Sequence, residues 1–141
     1  MPNSFTTFIR SQYNNFSQWE ELKNDYTYTN MLNKRKIIKM DEDKRSLPFE
    51  GEPNTITDLV DNEAVKQRRI YGKNGKAIKD IDTHNHNKPK YHIMGAHKHE
   101  YDYTQRNPHG KAEYLTEREL RQNRDIIKKG VNYNANKSKE T

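Results

Sequence analysis

The segment around Asn74-Gly75 constrains the fold of this chain more than any other feature of its sequence. Asn-Gly closes tight β-hairpins, because both central positions of such turns adopt positive φ. The residues before it read VKQRRIY and those after it KAIKDID, and both runs have the composition of strands. We therefore predict antiparallel strands near 64–71 and 76–82. Residues 56–60 form either a third strand or a short helix.

The second arm of this hairpin ends in carboxylates. Asp80 and Asp82 occupy alternate positions, so they share one face of the strand. Asp82 stands at the strand end, where a polar loop containing histidines begins. The loop has no periodicity and is broken by Pro89.

Residues 91–103 return as one strand, or as two strands kinked at Gly95. His97, His99 and Tyr101 then project from one face, because side chains on a strand alternate with a period of two. We expect this face to meet the end of the preceding strand that carries Asp82.

An aromatic stripe predicts helices at the N-terminus. Apolar residues recur at steps of mostly three or four, which places them on one helical face that we expect to pack as core. Asn14-Asn15 interrupts the stripe, and Ser17 with Glu20 forms a capping-box pattern, so we predict helices over 4–14 and 17–33. The members are Phe5, Phe8, Ile9, Tyr13, Phe16, Trp19, Leu22 and Tyr26.

A further helix is predicted near 117–129. Thr116 and Glu119 have the spacing of a capping box, and Gly130 is a stop signal. The segment RNPHG, residues 106–110, precedes this helix and is interpreted as a turn.

Together these elements predict an α+β fold with N-terminal helices, a small antiparallel sheet and a C-terminal helix. Pro48, Gly51 and Pro53 indicate an extended linker, and the triplet KRK before it, residues 34–36, is interpreted as the exposed end of the second helix. The predicted organisation is an N-terminal helical segment (1–40), a linker (41–55), a small basic α+β domain (56–130) and a disordered tail (131–141).

The excess positive charge lies in the second part of the chain. Residues 1–60 carry eight Lys and Arg against nine Asp and Glu, whereas residues 61–141 carry eighteen against eleven. A basic surface suits phosphate backbones, although a solvated surface explains the same balance. Hydrophobic residues make up only 30% of the chain, so we expect a small core.

Several classes of protein are excluded by what the sequence lacks. The chain has no cysteine, so it has no disulfide, no cysteine zinc site and no thiol nucleophile. No apolar run approaches the roughly 18 residues of a membrane span. The segment MPNSFTTFIR lacks the pattern of a signal peptide, and we expect the protein in a host cytoplasm or in a virion.

Metal binding is the first of three chemistries open to the histidine-rich region. His97 and His99, joined by Asp82 or His84, offer nitrogen and oxygen ligands for a divalent ion, which could activate water for phosphodiester hydrolysis. No recognised ligand spacing such as HExxH is present.

Metal-free cleavage of RNA is the second chemistry open to the histidine-rich region. One imidazole would remove the proton of a ribose 2′-hydroxyl and another would protonate the leaving oxygen. His84, His97 and His99 supply the imidazoles, and Lys98 and Arg68 supply positive charge for the phosphate.

The third interpretation assigns no chemistry and treats the histidines as exposed polar residues or hydrogen-bonded strand ends. A site built on two strands leaves His92 and His109 as bystanders. Between the two kinds of site, the residues favour one with no cofactor over one with a divalent metal.

A run of short motifs carries a resemblance to a known group of proteins. The motifs are a strand ending in Tyr71, Asn74-Gly75, Gly75-Lys76, Asp80-Ile81-Asp82, His84 or His86, and His97-Lys98-His99. This stretch, about a quarter of the chain, resembles the C-terminal modules of some polymorphic toxins and phage-borne proteins of low-GC Gram-positive bacteria. The chain departs from them at Ala96, where they have proline, and at Tyr101, where tryptophan is frequent.

The resemblance implies a compact mixed α/β fold, an origin in a phage or mobile element, and a nuclease activity that is often directed at RNA. It carries the histidines of those modules to His84, His97 and His99, and their acidic pair to Asp80 and Asp82.

Two functions therefore remain open. The first is a small basic RNase-like module with acid–base residues His97, His99 and His84 and an orienting Asp82. The second is a non-enzymatic phage protein that sits in the virion or binds nucleic acid or a host protein. The residues expected to contact phosphate are Arg68, Arg69, Lys73, Lys76 and Lys98.

Overall fold

The computed structural model describes residues 16–84 and 95–127. The elements in these ranges are α1 (Phe16–Asn33), β1 (Lys36–Lys39), β2 (Ile56–Asp61), β3 (Ala64–Tyr71), β4 (Ala77–Asp82), β5 (His97–Tyr101), β6 (His109–Glu113) and α2 (Glu117–Gln122). The described residues thus form an α+β protein with one six-stranded sheet, in which the strands lie side by side in chain order. β1 and β2 run parallel, and every other neighbouring pair is antiparallel.

Helix α1 belongs to a compact unit that ends at Asn33, and a second unit begins at Lys34. The helix predicted over 17–33 is confirmed, whereas the helix predicted over 4–14 lies outside the described residues. Tyr26 is exposed, so the expectation that the aromatic stripe is packed is wrong for this member. Neither helix in the described ranges is long and apolar enough to cross a membrane.

The strands of the central hairpin are confirmed. β3 has the predicted bounds, and β4 begins one residue later than predicted. Residues 56–60, which were left open between strand and helix, belong to strand β2. β5 lies within the predicted 91–103, of which residues 91–94 are outside the described ranges.

Two strands were not predicted. The helix ends at Asn33, before the triplet KRK that was expected to be its exposed end, and β1 begins at Lys36; Ile38 of this strand pairs with Leu59. The β-branched side chains of Ile37 and Ile38 favour the extended backbone that this pairing requires. β6 begins at His109, inside the segment RNPHG that was interpreted as a turn, because strand β5 returns in a hairpin and takes these residues as its partner.

Residues 40–55 are the crossover that a parallel strand pair needs. This segment, which was expected to be a linker, packs against the sheet. Leu47 is buried, and its carbonyl accepts a hydrogen bond of 2.6 Å from Arg69. The carbonyl of Pro48 accepts one of 2.6 Å from the Tyr71 hydroxyl. The crossover therefore covers part of the sheet that a solvated linker would leave open.

The Asn74-Gly75 turn closes the β3–β4 hairpin, but its geometry differs from the prediction. Gly75 has φ of 80°, and Asn74 does not have positive φ. The Gly75 N–H donates to Gly72 O at 3.0 Å, as in three-residue loops that end in a left-handed glycine. Two consecutive residues with positive φ instead connect β2 to β3, namely Asn62 at 51° and Glu63 at 65°.

The strand register divides the sheet side chains between two faces, because directly paired residues lie on the same face. The face that we call the helix face carries the row Asp58, Arg68, Ile81, Lys98 and Glu113. The face that we call the histidine face carries two rows, Leu59, Gln67, Asp82 and His97, and Thr57, Arg69, Asp80, His99 and Ala112.

Arg68 is fully buried on the helix face and joins three parts of the chain. Its guanidinium donates to both oxygens of Asp58 at 2.8 and 2.9 Å, and to Asn123 at 3.1 Å and Asp125 at 2.9 and 2.8 Å. Burial lowers the pKa of Arg68, but the hydrogen bonds with Asp58 and Asp125 raise it more, so the pKa lies above its ordinary value. The two carboxylates keep this buried cation charged.

Helix α2 begins as predicted and ends early. The Thr116 hydroxyl accepts the Glu119 N–H at 3.1 Å and the Glu119 carboxylate accepts the Thr116 N–H at 2.9 Å, which confirms the capping box. The helix predicted to reach 129 ends at Gln122. Asn123 and Asp125 both bond Arg68. Residues two apart on a helix point in different directions, so the chain leaves the helix to make both contacts.

Glu119 ties α2 to the sheet. Its carboxylate accepts hydrogen bonds from Lys79 at 2.6 Å and contacts Lys98 at 3.0 Å. Burial raises the pKa of Glu119, but the hydrogen bonds from Lys79 and from the Thr116 N–H lower it more, to about 2.

We predict that Arg68→Met destabilises the protein by about 3–5 kcal/mol, the usual effect of removing one partner of a buried ion pair. The buried carboxylate of Asp58 would keep Arg35, at 3.1 Å, as a salt-bridge partner, but Arg35 is itself exposed to solvent. Urea unfolding followed by circular dichroism measures the change. The exposed Arg45→Met is the control and should change stability by less than about 0.5 kcal/mol. A loss below about 1 kcal/mol for Arg68→Met would contradict the prediction.

We predict that acid removes the contribution of Glu119 to stability. Its folded pKa of about 2 lies below the ordinary 4.5, so its contribution is complete above pH 4.5 and is lost as the pH falls toward 2. The stability difference between wild type and Glu119→Gln should therefore shrink by on the order of 2–3 kcal/mol over this window. Urea unfolding at several pH values measures it, and Glu117→Gln on the same helix is the control. A difference that does not change with pH would refute the assignment.

Candidate functional site

Asp82, His97 and His99 come together on the histidine face, and we call them the His-Asp centre. His97 is opposite Asp82 in the register of β4 and β5, and His99 lies in the next row. The Asp82 Oδ2 atom is 3.3 Å from Nε2 of His97 and 3.3 Å from Nε2 of His99. One ligand atom from each residue lies within 4.8 Å of the others. All three residues are buried, with His97 0% and His99 4% exposed.

A backbone carbonyl orients each histidine of the centre. Nδ1 of His97 lies 2.6 Å from Gly95 O, and Nδ1 of His99 lies 2.8 Å from Gly110 O. A carbonyl oxygen only accepts, so each Nδ1 carries a proton and donates it. In the neutral imidazole the lone pair is then on Nε2, the atom that lies close to Asp82. The centre therefore brings two imidazole lone pairs and one carboxylate oxygen together.

Three electron-rich atoms at these distances repel one another unless a cation lies among them. A proton is one such cation. Burial lowers the pKa of His99, but the hydrogen bonds with Asp82 and Gly110 and the charges of Asp82 and Asp80 together raise it more, so the pKa lies above its ordinary value. A metal ion is another. Bonds of about 2.0–2.1 Å to a tetrahedral zinc ion separate the ligands by about 3.3–3.4 Å. Both Asp82–histidine distances, at 3.3 Å, match that separation.

Asp82 is also oriented from its other side. Gln67 donates from Nε2 to the Asp82 Oδ1 atom at 2.8 Å, which leaves Oδ2 toward the imidazoles. Each member of the centre thus has an outer hydrogen bond that fixes its position. This is the pattern by which proteins orient metal ligands. The centre can hold a metal ion.

Asp80 lies beside the centre but has its own partners. Arg69 donates to its two oxygens at 2.7 and 2.9 Å, and the Tyr101 hydroxyl donates to Oδ2 at 2.8 Å. Burial lowers the pKa of Arg69, but the hydrogen bonds with Asp80 and the charges of the neighbouring groups together raise it more. Burial is also the main cause that raises the pKa of Tyr101 above its ordinary value. The negative charge of Asp80 is therefore paired with Arg69 inside the protein.

His109 was expected to be a bystander, and the structure places it against the centre. Its ring stacks on His99, with centroids 4.2 Å apart and planes inclined by 27°. Its Nε2 lies 3.7 Å from Asp80 Oδ2, and its side chain is 39% exposed. Burial and the neighbouring His99 lower the pKa of His109. The sequence held one signal for this position: a strand followed by a turn commonly pairs with the segment after the turn, and His109 lies in that segment. His109 gives this part of the molecule a titratable group at the surface.

The residues expected to contact phosphate divide into two groups. Arg68 and Arg69 are buried in ion pairs with aspartates, and Lys98 is buried beside Glu119 on the helix face. This corrects the expectation that these three cations face a nucleic acid, because carboxylates of the protein already occupy them. Lys73 and Lys76 are exposed on the β3–β4 loop and remain available for such a contact.

The other predicted site residues lie apart from the centre or outside the described ranges. His84 follows β4, is half-buried, and does not belong to the group of converging ligand atoms. His86 and His92 fall among the residues that the structure does not describe. Gln67 was missed, although the hairpin register that places it opposite Asp82 follows from the predicted strands.

Burial argues against one of the chemistries considered for the centre. Metal-free cleavage of RNA requires imidazoles that touch the ribose, and His97 and His99 are too deeply buried to do so. The same burial suits a metal centre, and it leaves His109 as the exposed imidazole. Neither a protein-family model, nor a curated protein, nor a solved structure matches this chain.

Proposed function

We propose that this protein is a metal-dependent module that cleaves nucleic acid, with RNA as the favoured substrate, and that the His-Asp centre holds its metal. The observation that carries the proposal is the convergence of Asp82 Oδ2 with two histidine Nε2 atoms at 3.3 Å. Two histidines and one carboxylate are the ligand set of several catalytic zinc sites, which keep a fourth position for water or substrate. Zinc is therefore the first metal to test.

The chemistry of such a site is hydrolysis of a phosphodiester. A divalent metal held by Asp82, His97 and His99 would lower the pKa of a water molecule and polarise a phosphoryl oxygen. The water oxygen forms a bond to phosphorus, one P–O ester bond breaks, and the leaving oxygen takes up a proton. His109 is the exposed titratable residue in contact with His99, so it is the side chain suited to exchange that proton with the substrate.

Charge and resemblance support nucleic acid as the substrate. The second part of the chain carries eighteen Lys and Arg against eleven Asp and Glu. Lys73 and Lys76 are exposed and can contact phosphate. The resemblance to toxin and phage modules implies RNA cleavage and an origin in a phage or mobile element.

A second candidate function is binding without catalysis. The near-complete burial of His97, His99 and Asp82 is also typical of a metal that stabilises a fold. The protein would then be a phage component that sits in the virion, or that binds nucleic acid or a host protein.

We predict that the purified protein binds one zinc ion per chain. Competition with a chromophoric chelator measures the affinity, and elemental analysis of dialysed protein measures the stoichiometry. Asp82→Asn removes the negative charge of one ligand and His99→Gln removes an imidazole ligand, so each should weaken binding by at least the roughly 10- to 100-fold that loss of an outer partner costs. His84→Ala is the matched control and should bind as wild type does. Zinc at about 100 times its dissociation constant should stabilise the wild type by about 2.7 kcal/mol. No binding, or equal loss in His84→Ala, would refute the metal site.

We predict that wild type cleaves single-stranded RNA with zinc or manganese and not after removal of metal with EDTA. His109→Ala should lower the rate by about 10²- to 10⁴-fold, the usual contribution of an acid–base residue, with metal affinity unchanged. Denaturing gels of labelled RNA measure cleavage, and His84→Ala is again the control. If the protein binds zinc but cleaves no RNA with zinc, manganese or magnesium, catalysis is refuted and the binding role is supported.

A further inference from the structure

Four aromatic side chains form a connected group at the surface beside the His-Asp centre. Tyr101 lies in the middle, with its ring centroid 6.1 Å from Phe49, 6.0 Å from Tyr103 and 5.4 Å from His109. Phe49 is 60% exposed and Tyr103 is 43% exposed. We call Phe49, Tyr101, Tyr103 and His109 the aromatic cluster.

The tyrosine hydroxyls of the cluster are used inside the protein. Tyr101 donates to Asp80 at 2.8 Å, and Tyr103 donates to the carbonyl of Ala77 at 2.6 Å. The exposed area of Tyr103 therefore includes its carbon ring, and that of Phe49 is wholly apolar. Each hydrogen bond also fixes a ring in place, so binding against it costs little ordering of the side chain.

Cations accompany these rings. Lys76 Nζ lies 5.1 Å from the centroid of the Tyr103 ring, and the Arg69 guanidinium lies 5.4 Å from that of Phe49. Lys73 is exposed on the same loop as Lys76. The surface thus combines exposed aromatic rings with the exposed lysines Lys73 and Lys76, and proteins use these two elements to hold single-stranded nucleic acid.

We infer that the aromatic cluster is the binding surface for the bases of single-stranded nucleic acid, with Lys76 and Lys73 contacting its phosphates. Stacking requires bases that are not enclosed in a duplex, so a single strand fits this surface and a double helix does not. The inference rests on the proposed function and deepens it, because it names the form of the substrate. His109 belongs to the cluster and also stacks on His99, so a strand bound here lies next to the centre.

Fluorescence anisotropy with a 5′-labelled twelve-nucleotide oligouridine, in EDTA, tests the inference. Wild type should bind it, and Phe49→Ala and Tyr103→Ala should each weaken binding by roughly 5- to 150-fold, the effect of losing one base stack. Tyr103→Phe keeps the ring but loses the hydrogen bond to Ala77, and should weaken binding less than Tyr103→Ala does. Ile37→Ala is the matched control, because Ile37 is an exposed apolar residue on β1, at the opposite edge of the sheet. Circular dichroism verifies that each variant is folded in EDTA.

Four results of the binding experiment would overturn the inference. They are no binding by folded wild type, equal binding of a duplex of the same sequence, equal weakening in Ile37→Ala, and loss of binding in Lys76→Ala with none in Phe49→Ala. If sedimentation shows dimers that Phe49→Ala abolishes, the surface binds a second copy instead, which also overturns it. Because EDTA prevents metal-dependent cleavage, this experiment fails or succeeds separately from the zinc and cleavage measurements.

Discussion

Two consecutive arginines on β3 determine how this sheet can form. Arg68 and Arg69 point to opposite faces, and each meets a fully buried aspartate, Asp58 on one face and Asp80 on the other. Removing such charges from water is costly unless each is paired and fully hydrogen-bonded. The strand register must therefore place both pairs correctly at once, and a slip by one residue would exchange the faces and leave four buried charges without their partners.

The arginine pairs explain how a chain with few apolar residues builds an interior. Only 30% of the residues are hydrophobic, and the interior of the described sheet includes ion pairs and histidines beside Ile56, Ile70 and Ile81. Buried ion pairs add little net stability compared with apolar packing, but they tolerate few alternative arrangements. The histidine face shows the effect of such a fixed arrangement. Arg69 is paired with Asp80, so the neighbouring Asp82 is the carboxylate that faces the histidines of the His-Asp centre.

Local signals predicted the parts of the fold that depend on neighbouring residues. The hairpin of β3 and β4, the alternation that carries Asp82, and the capping box at Thr116 are all set by short-range chemistry and were confirmed. The pairing of His97 and His99 with Asp82 followed from the same alternation. Partners distant in sequence decided the remainder. β1 is a strand because it pairs with β2. In the sequence alone, Arg68 and Arg69 have the pattern of surface cations, and only the fold shows that each is paired with a buried aspartate. Burial of the centre and the position of His109 depend on that same long-range pairing.

The bonds from Arg68 to the segment after α2 have a consequence for the order of folding. Arg68 is separated by 55 residues from Asn123 and by 57 from Asp125. Closing such long loops costs conformational entropy before the contact contributes any favourable free energy, so folds rich in such contacts form slowly. During synthesis, β2, β3 and the Asp58 pair can assemble first, but the helix face is complete only after the C-terminal residues have left the ribosome. Until then the partly paired guanidinium of Arg68 is accessible to water, so this buried ion-pair network forms only when the middle of the chain meets residues 123–125.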